Sequence, residues 1–286
     1  MPGRLGVPGR LGVPGRLAGI HRAVTAGVDT AGMAWSDDEL LGFDLETTGT
    51  DPFSDVPVSF ALVRWVGERR VGAEAALVDP GRPIPAAASA VHGISTDRAR
   101  QEGMGLPAAC REILAALLDA ARRGVPVVGM HVCFDLTIVD QLCRRHHGRS
   151  LRQLGWQGPV LDVLTIDRHL DRHRRGSRTL GALCRHYGVV AGALHDATAD
   201  VDATLAVLHR IVGCFPAVGA MSPAQLTVLQ QRWHRAWAAD LSRYRRRRGQ
   251  PPLMTWETQW PVPTVGPDIG PRRAAPAAAD RPAALA

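Results

Sequence analysis

Two acidic side chains one residue apart are the first feature of this chain that could carry out chemistry. Asp44 and Glu46 stand at the end of an apolar run, within the stretch 42–49. Residues two apart in a strand project to the same side, so both carboxylates face one point. Acids held together at the exit of an apolar strand repel each other unless a cation lies between them. The pair predicts a cation site; a solvated strand end with acids by chance is the alternative interpretation.

Two more acids and a histidine follow later in the chain. Asp135 comes directly after Phe134, where a helix can begin behind a short apolar strand at 125–129. Asp200 opens an amphipathic helix five residues after His195. With His195 in the preceding loop and Asp200 in the first turns, both side chains can reach one point. Taken singly, Asp135 is an ordinary first-turn acid favoured by the helix dipole, and His195 is an ordinary loop residue.

The acid at 200 has two acidic neighbours, Asp196 and Asp202. Two residues along a helix correspond to a rotation of about 200°. We therefore expect Asp202 to face away from Asp200 if the helix has begun by that point.

The elements that must position these residues alternate between strand and helix patterns. Apolar runs separated by turn residues predict three strands that form an antiparallel meander. Helical spacing of apolar residues and the strand at 125–129 complete a mixed α/β sheet flanked by helices. The strands are predicted at 39–45, 56–66 and 71–78, and the helices at 110–122, 135–146, 178–187, 200–212 and 223–244.

Together, these motifs resemble those of the DnaQ-like (DEDDh) exonuclease family. They occur in the family's order: acid-x-Glu on a strand, an acid after Phe on a later helix, and His-x4-Asp near the end. The stretches 77–81, 91–94 and 179–188 resemble the family as well, so that the resemblance covers about residues 36–215. It implies an RNase H-like fold. A tyrosine-type relative would carry Tyr where this chain has Asp196, so the histidine branch is indicated.

The resemblance also implies roles for individual residues. Asp44, Glu46, Asp135 and Asp200 would be metal ligands, and His195 would be the general base. His92, together with the backbone of Leu45, Thr47 and Thr48, would hold the terminal nucleotide. For His92, a turn residue before a helix is the alternative interpretation. Relatives often carry His-Asn where this chain has Met130 and His131.

The proposed ligand set favours hard divalent ions. Carboxylate oxygens suit Mg²⁺ or Mn²⁺, whereas zinc prefers nitrogen and sulfur. Two ions about 3.5 to 4 Å apart would activate water and stabilise the charge on phosphorus and on the leaving oxygen. Histidine is the side chain whose charge changes near neutral pH, which suits a base that takes the proton of the attacking water.

The expected function is therefore 3′→5′ exonuclease activity on DNA, of the proofreading or repair type, with single-stranded DNA bearing a free 3′ end as substrate. An exoribonuclease of the same fold would use the same carboxylates, because sugar choice depends on contacts to the 2′ position. A third alternative is a non-catalytic module that binds nucleic acid or docks on a polymerase subunit. Burying four acids without a metal would be costly, which disfavours this module.

The composition agrees with a nucleic-acid partner. The formal charge of +7 over 286 residues comes from arginine alone, and a pI near 10 favours a polyanion. Five cysteines without a CxxC pair predict neither disulfides nor a zinc knuckle. The sequence shows no apolar run long enough to span a bilayer and no secretory signal, so we expect a cytoplasmic protein with no membrane partner.

Four segments are predicted along the chain. Residues 1–35 contain a Pro- and Gly-containing repeat and are expected to form a disordered low-complexity arm, and 36–215 form the exonuclease domain. Residues 216–250 form a helical extension whose apolar stripe includes Trp233 and Trp237. Its basic end at 245–248 is either solvated or contacts substrate phosphates or a polymerase subunit. Residues 251–286 are expected to form a mostly disordered Pro- and Ala-rich tail, in which Trp256 and Trp260 can still pack back onto the domain.

Overall fold

The computed structural model describes residues 35–192 and 195–264, which contain a six-stranded mixed sheet. The strands are β1 (Glu39–Thr47), β2 (Pro57–Val66), β3 (Arg69–Asp79), β4 (Met104–Gly105), β5 (Val127–Gly129) and β6 (Val160–Asp162). The helices are α1 (Ala86–His92), α2 (Thr96–Glu102), α3 (Leu106–Arg123), α4 (Cys133–His147), α5 (Val163–Leu170), α6 (Leu180–Tyr187), α7 (Ala197–Cys214), α8 (Pro216–Gly219) and α9 (Pro223–Arg247). Short 3₁₀ turns lie at Trp35–Asp37 and Trp256–Thr258.

The strand order is β4-β3-β2-β1-β5-β6. β1, β2 and β3 form the predicted antiparallel meander, and β5 and β6 continue the sheet parallel to β1. The predicted mixed α/β sheet is confirmed. The carboxyl ends of β1, β5 and β6 consequently meet at one edge of the sheet. Asp44 and Glu46, near the end of β1, lie at this edge. Sequence patterns did not locate β4, β6, α1, α2, α5 or α8, whose short lengths leave little periodicity to recognise.

Alternation along β1 divides the apolar residues between two cores. Leu41, Phe43 and Leu45 pack with α3 and α4 on one face, whereas Leu40 packs with α7 on the other. This period of two fixes the strand's register, because a slip of one residue would exchange the faces. Asp44 and Glu46 therefore project on the α7 side.

The long helix α9 covers the exposed edge of β6 with polar side chains. Gln230 accepts the Asp162 N–H at 2.7 Å and donates to the Val160 carbonyl at 2.8 Å. Thr227 accepts the Val160 N–H at 2.9 Å. The sequence-based prediction of a buried Trp233 and Trp237 stripe needs correction. The fully buried row contains Leu226, Gln230, His234, Ala238 and Ser242, because polar groups there bond to the sheet edge and to the C-terminal segment.

The segment after α9 also differs from its prediction. Residues 251–264 pack against the domain, with Leu253 and Trp260 buried. Trp260 donates its indole N–H to Asp162, which holds the segment beneath the sheet edge. The sequence had allowed Trp256 and Trp260 to pack onto the domain, and Trp260 does so. The described residues 251–264 are more ordered than a mostly disordered tail would be. The remaining residues of that tail, and residues 1–34 of the predicted arm, lie outside the described part of the chain.

At the other end of the described chain, Trp35 is buried and donates its indole N–H to the Val218 carbonyl at 3.2 Å. Among the helices of residues 35–192 and 195–264, none combines the length and the apolar character that crossing a bilayer requires.

A glycine sets how closely α7 approaches the central strand. A Cβ at Gly42 would lie 2.8 Å from Leu205 Cδ1 and closer still to Val201 Cγ1. The missing side chain lets α7 lie directly on β1, two residues before Asp44. Because α7 also carries Asp200, this contact sets the separation of the two acids.

We predict that Gly42→Ala destabilises the protein by about 1 to 3 kcal/mol, the usual cost of overpacking. Urea-induced unfolding followed by circular dichroism measures the free energy of unfolding. Gly72→Ala is the matched control, since its Cβ would meet only the Arg64 side chain, at 3.4 Å. Equal stability of the two variants would contradict the role given to Gly42.

Candidate active site

Three of the four predicted acids converge at the edge of the sheet. Asp44, Glu46 and Asp200 each offer a carboxylate oxygen, and these oxygens lie within 4.8 Å of one another. All three side chains are half-buried. β1 supplies two acids through its period of two, and the first turn of α7 supplies the third. Residues more than 150 positions apart in the chain are thus brought to one point by the packing of α7 on β1.

The loop before α7 explains why Asp200, and neither of its neighbours, joins the cluster. Asp196 caps the helix by accepting the Ala199 N–H at 3.0 Å. Asp202 faces β2 and β3, where Trp65 donates to it at 2.9 Å and Arg70 at 3.0 Å. The helical spacing had predicted that Asp202 faces away from Asp200. Each of the three neighbouring acids therefore has a different partner.

His195 lies beside the cluster in a left-handed backbone conformation, with φ of 72°. Its N–H lies 3.3 Å from both Asp200 carboxylate oxygens, so that the carboxylate holds the loop in place. Non-glycine residues adopt positive φ at some energetic cost, and such residues cluster at functional sites. The conformation brings the imidazole next to Asp200 and His92, and the charge of His195 affects the pKa of both.

Asp135 is close to the cluster but does not belong to the group of three. It lies buried in the first turn of α4, and its Oδ1 accepts the Leu45 N–H at 3.2 Å. The backbone between Asp44 and Glu46 is thereby tied to α4. The charge of Asp135 contributes to raising the pKa of Asp44, which places the fourth acid within electrostatic reach.

The acids of the cluster have raised pKa values, and no arginine forms a salt bridge with them among the described residues. Burial, reinforced by Asp135, Glu46 and Asp200, holds the pKa of Asp44 well above its ordinary value. Burial and the charge of Asp200 raise the pKa of Glu46 to about 7. Burial also raises the pKa of Asp135 and of Asp200. A divalent cation would reverse these shifts by favouring the charged form of every ligand.

The cluster therefore fits a hard divalent cation. Its donors are carboxylate oxygens, within the span that one ion can bridge, and their partial burial leaves them short of water. Asp44, Glu46 and Asp200 are the residues that could hold it, with Asp135 at the inner side.

A cleft of about 240 Å³ opens next to the cluster. Glu46, His92, His195 and Asp196 line it together with residues of β2 and β3. The ring of His92 is fixed because its Nδ1 accepts the Ile94 N–H at 3.1 Å. Its Nε2 is buried and has no hydrogen-bond partner among the described residues. Burial lowers the pKa of His92 against the opposing effect of the Thr47 backbone, so a neutral ring borders the cleft.

The other residues expected to hold a nucleotide have different surroundings. Leu45 and Thr48 have buried side chains, so they can reach a ligand only through the backbone. The Thr48 hydroxyl bonds to Asp55 and to Arg82, each at 2.7 Å. The Thr47 hydroxyl donates to the Gly49 carbonyl at 2.7 Å. These three residues shape the turn after β1, and of the predicted nucleotide-binding set only His92 lines the cleft.

Sequence reasoning missed the buried Asp162, which organises the neighbouring loop. Its Oδ1 accepts the N–H groups of Leu164 and Thr165 at the start of α5 and that of His131, and its Oδ2 accepts the Trp260 indole. His131, like His195, has a left-handed backbone, with φ of 63°. The sequence signal was an Asp at the N-cap position after a short apolar run.

Comparison with known proteins places these residues in a family context. Residues 41–208 match the sequence profile of a family described as Exonuclease. A DNA polymerase III subunit epsilon-like protein of Rhodobacter capsulatus is 34% identical over 182 residues, 62% of this chain and 24% of that protein. A PolC-type DNA polymerase III of Lacticaseibacillus paracasei is 26% identical over 173 residues, 60% of this chain and 11% of that protein.

Solved structures show the same fold. E. coli exonuclease I in complex with a dT13 oligonucleotide aligns with a TM-score of 0.54 at 25% identity, covering 63% of this chain and 42% of that one. A zinc-bound complex of the same enzyme with single-stranded DNA gives a TM-score of 0.56 at 25% identity, covering 64% and 42%. The predicted RNase H-like fold is confirmed. The chain spans less than half the length of each of these relatives.

The raised pKa values predict how metal-free stability depends on pH. Unfolded carboxyls ionise near pH 4, whereas Glu46 in the folded protein ionises at about pH 7. Between pH 4 and pH 7 the folded state thus binds more protons than the unfolded state. The stability contributed by Glu46 is therefore fully present below pH 4 and is lost as the pH rises through 7. Thermal melting in EDTA across this range measures the decline, and Mn²⁺ should reverse it.

Asp44→Asn should raise the melting temperature of the metal-free protein at pH 8, because it removes one repelling charge; each kcal/mol corresponds to about 2 to 4 °C. It should also abolish the stabilisation by Mn²⁺. Asp202→Asn is the control, since that acid already has cationic and indole partners. A lower melting temperature for Asp44→Asn in EDTA at pH 8 would oppose the electrostatic interpretation.

Proposed function

This chain belongs to the exonuclease family, and from that premise we propose that it is a divalent-metal-dependent 3′→5′ exonuclease acting on single-stranded DNA. The observation that carries the proposal is the convergence of Asp44, Glu46 and Asp200 beside His195. A binding module would have no use for buried acids that repel one another and the phosphate alike.

The proposed reaction releases one mononucleotide from the 3′ end. Water attacks the last phosphodiester phosphorus, the new oxygen–phosphorus bond forms, and the bond to the preceding 3′-oxygen breaks. Two bound Mg²⁺ or Mn²⁺ ions would supply charge neutralisation for the phosphate and for the leaving oxygen. Asp44, Glu46, Asp135 and Asp200 would hold these ions. The ring of His195 accepts the proton of the attacking water, and solvent returns one to the leaving oxygen.

Substrate positioning follows from the shape of the cleft. The terminal nucleotide lies in the cleft between Glu46, His92 and His195, with its sugar or base toward the His92 ring. The backbone of Leu45, Thr47 and Thr48 lies at the end of β1 next to Glu46 and would contact the nucleotide from outside the cleft lining. A free 3′ terminus in the cleft brings the last phosphate next to the acids.

The proposed preference for DNA over RNA rests on what similar proteins bind and how they are named. Exonuclease I binds DNA oligonucleotides in its structures, and the curated relatives are named as DNA polymerase III proteins. A role in DNA replication or repair, alone or beside a polymerase subunit, is part of the proposal. Exoribonuclease activity is the competing possibility within the same chemistry.

We predict that His195→Ala slows release of mononucleotides by about 10² to 10⁴, the usual contribution of a general base. Metal binding should be retained, because the ring is not among the acids. Single-turnover release from a 5′-labelled single strand in Mg²⁺ measures the rate, and the Mn²⁺-induced rise in melting temperature measures the metal. His173→Ala removes an exposed histidine elsewhere and serves as the control. Wild-type turnover of His195→Ala would eliminate the proposed base.

Removing the metal and exchanging the DNA strand for RNA provide a second test. Release of mononucleotides should stop in EDTA and resume with Mg²⁺, while binding of the strand persists. Matched DNA and RNA oligonucleotides are each tested with a free and with a blocked 3′ end. Only the strands with a free 3′ end should be degraded, and DNA should be degraded faster than RNA. Retention of the strand without cleavage in Mg²⁺ would instead indicate a binding module, and faster loss of RNA would indicate an exoribonuclease.

A further inference from the structure

A second concave surface lies between α5 and α9, and we call it the α5–α9 groove. It has a volume of about 310 Å³. Arg168 and His169 line it from α5, and Arg172 lines it from two residues beyond that helix. Trp233, Trp237 and Tyr244 line it from α9. One wall of the groove thus carries two arginines and a histidine, and the other carries three aromatic side chains.

The groove adjoins the candidate active site. Thr165 lines the groove, and its N–H is bonded to Asp162, which also holds the His131 N–H before α4. Asp162 contributes to raising the pKa of Asp135, which places Asp162 within electrostatic reach of the fourth acid. β6 lies two strands from β1, which corresponds to about 10 Å. A nucleic acid strand advances at least about 3.4 Å per nucleotide, so its first few nucleotides can span this distance.

Arg168 has the features of an anion-binding group. Its guanidinium lies 4.1 Å above the Trp237 ring, and it has no hydrogen bond or salt bridge within residues 35–192 and 195–264. The nearest acids are already engaged: Asp162 with backbone N–H groups and the Trp260 indole, and Asp167 with Arg174, Arg178 and Tyr187. Burial lowers the pKa of Arg168, yet arginine remains charged at neutral pH. Its planar fork of donors suits a phosphate.

The aromatic side chains provide surfaces on which bases can stack. The exposed His169 ring lies parallel to Trp233, with ring centroids 4.0 Å apart and an interplanar angle of 5°. Tyr244, 53% exposed, stands at the far end of the groove. Grooves that bind single strands without sequence preference combine such rings with cationic side chains. Asp240 bonds to Arg172 and Arg243, which leaves the groove with a net positive charge.

We infer that the α5–α9 groove holds the single-stranded part of the substrate upstream of the scissile phosphate, with Arg168 on a phosphate and His169 beneath a base. The inference rests on the proposed exonuclease function and extends it from the chain end to the following nucleotides. Two subsites result: a cleft for the terminal nucleotide at His92, and a groove beyond the acids at Arg168.

The test separates the two subsites by substrate size. The p-nitrophenyl ester of thymidine 5′-monophosphate needs only the terminal cleft, whereas a longer single strand needs both. Arg168→Met should weaken binding of the longer strand in EDTA by roughly tenfold and lower the slope of log K against log salt by about 0.7. Hydrolysis of the ester with Mn²⁺ should stay within about twofold of wild type. Arg235→Met is the matched control, an exposed α9 arginine outside the groove.

Each outcome decides the inference. Binding by Arg168→Met equal to that of Arg235→Met overturns it. If Arg168→Met loses ester hydrolysis through misfolding, His169→Ala decides, because its exposed side chain can be removed without loss of the fold. That variant should bind the longer strand several-fold more weakly with an unchanged salt slope, and unchanged binding overturns the inference. If the wild-type protein hydrolyses neither substrate, the proposed function is refuted. Comparing strand binding by Arg168→Met and Arg235→Met in EDTA still tests whether the groove binds single strands.

Discussion

Repulsion between carboxylates at one edge of the sheet is the constraint on which the rest of this structure depends. Asp44, Glu46 and Asp200 are forced together by a strand with a period of two and by a helix packed directly on it. No arginine forms a salt bridge with them among the described residues, and their raised pKa values express the cost of burial and mutual repulsion. The site therefore destabilises the metal-free fold, and a bound cation would relieve this repulsion; such local destabilisation is typical of functional sites.

Backbone N–H groups hold the acids in position. Asp135 accepts the N–H of Leu45, between the two β1 acids, and Asp200 accepts that of His195. Asp162 plays the same part for His131 in the neighbouring loop. Both histidines have left-handed backbones, and in both the strained residue is fixed by a carboxylate. The same kind of bond thus organises the loops on two sides of the cluster.

Along the edge formed by β1, β5 and β6, the chemical character changes in a consistent direction. The β1 end presents acids and His92, the middle presents Asp135, and the β6 end presents Arg168 with its aromatic neighbours. Because the three strands are parallel, one extended ligand can cross all three carboxyl ends. Covering the β6 edge by Gln230 and Thr227 adds α9 to this surface and also prevents the edge from pairing with another chain.

The sequence by itself determined the chemistry and the main elements. Acid types, their spacing, the β1–β3 meander and the long helices follow from local periodicity, which is encoded in neighbouring residues. The tertiary structure alone decided which partners Asp196 and Asp202 have, and that α9 buries Gln230 and His234. It alone brought Trp260 to Asp162, which is 98 positions away, and Gln230 to the same residue across 68 positions. Such contacts depend on how elements pack in space, and no local pattern in the chain records that packing.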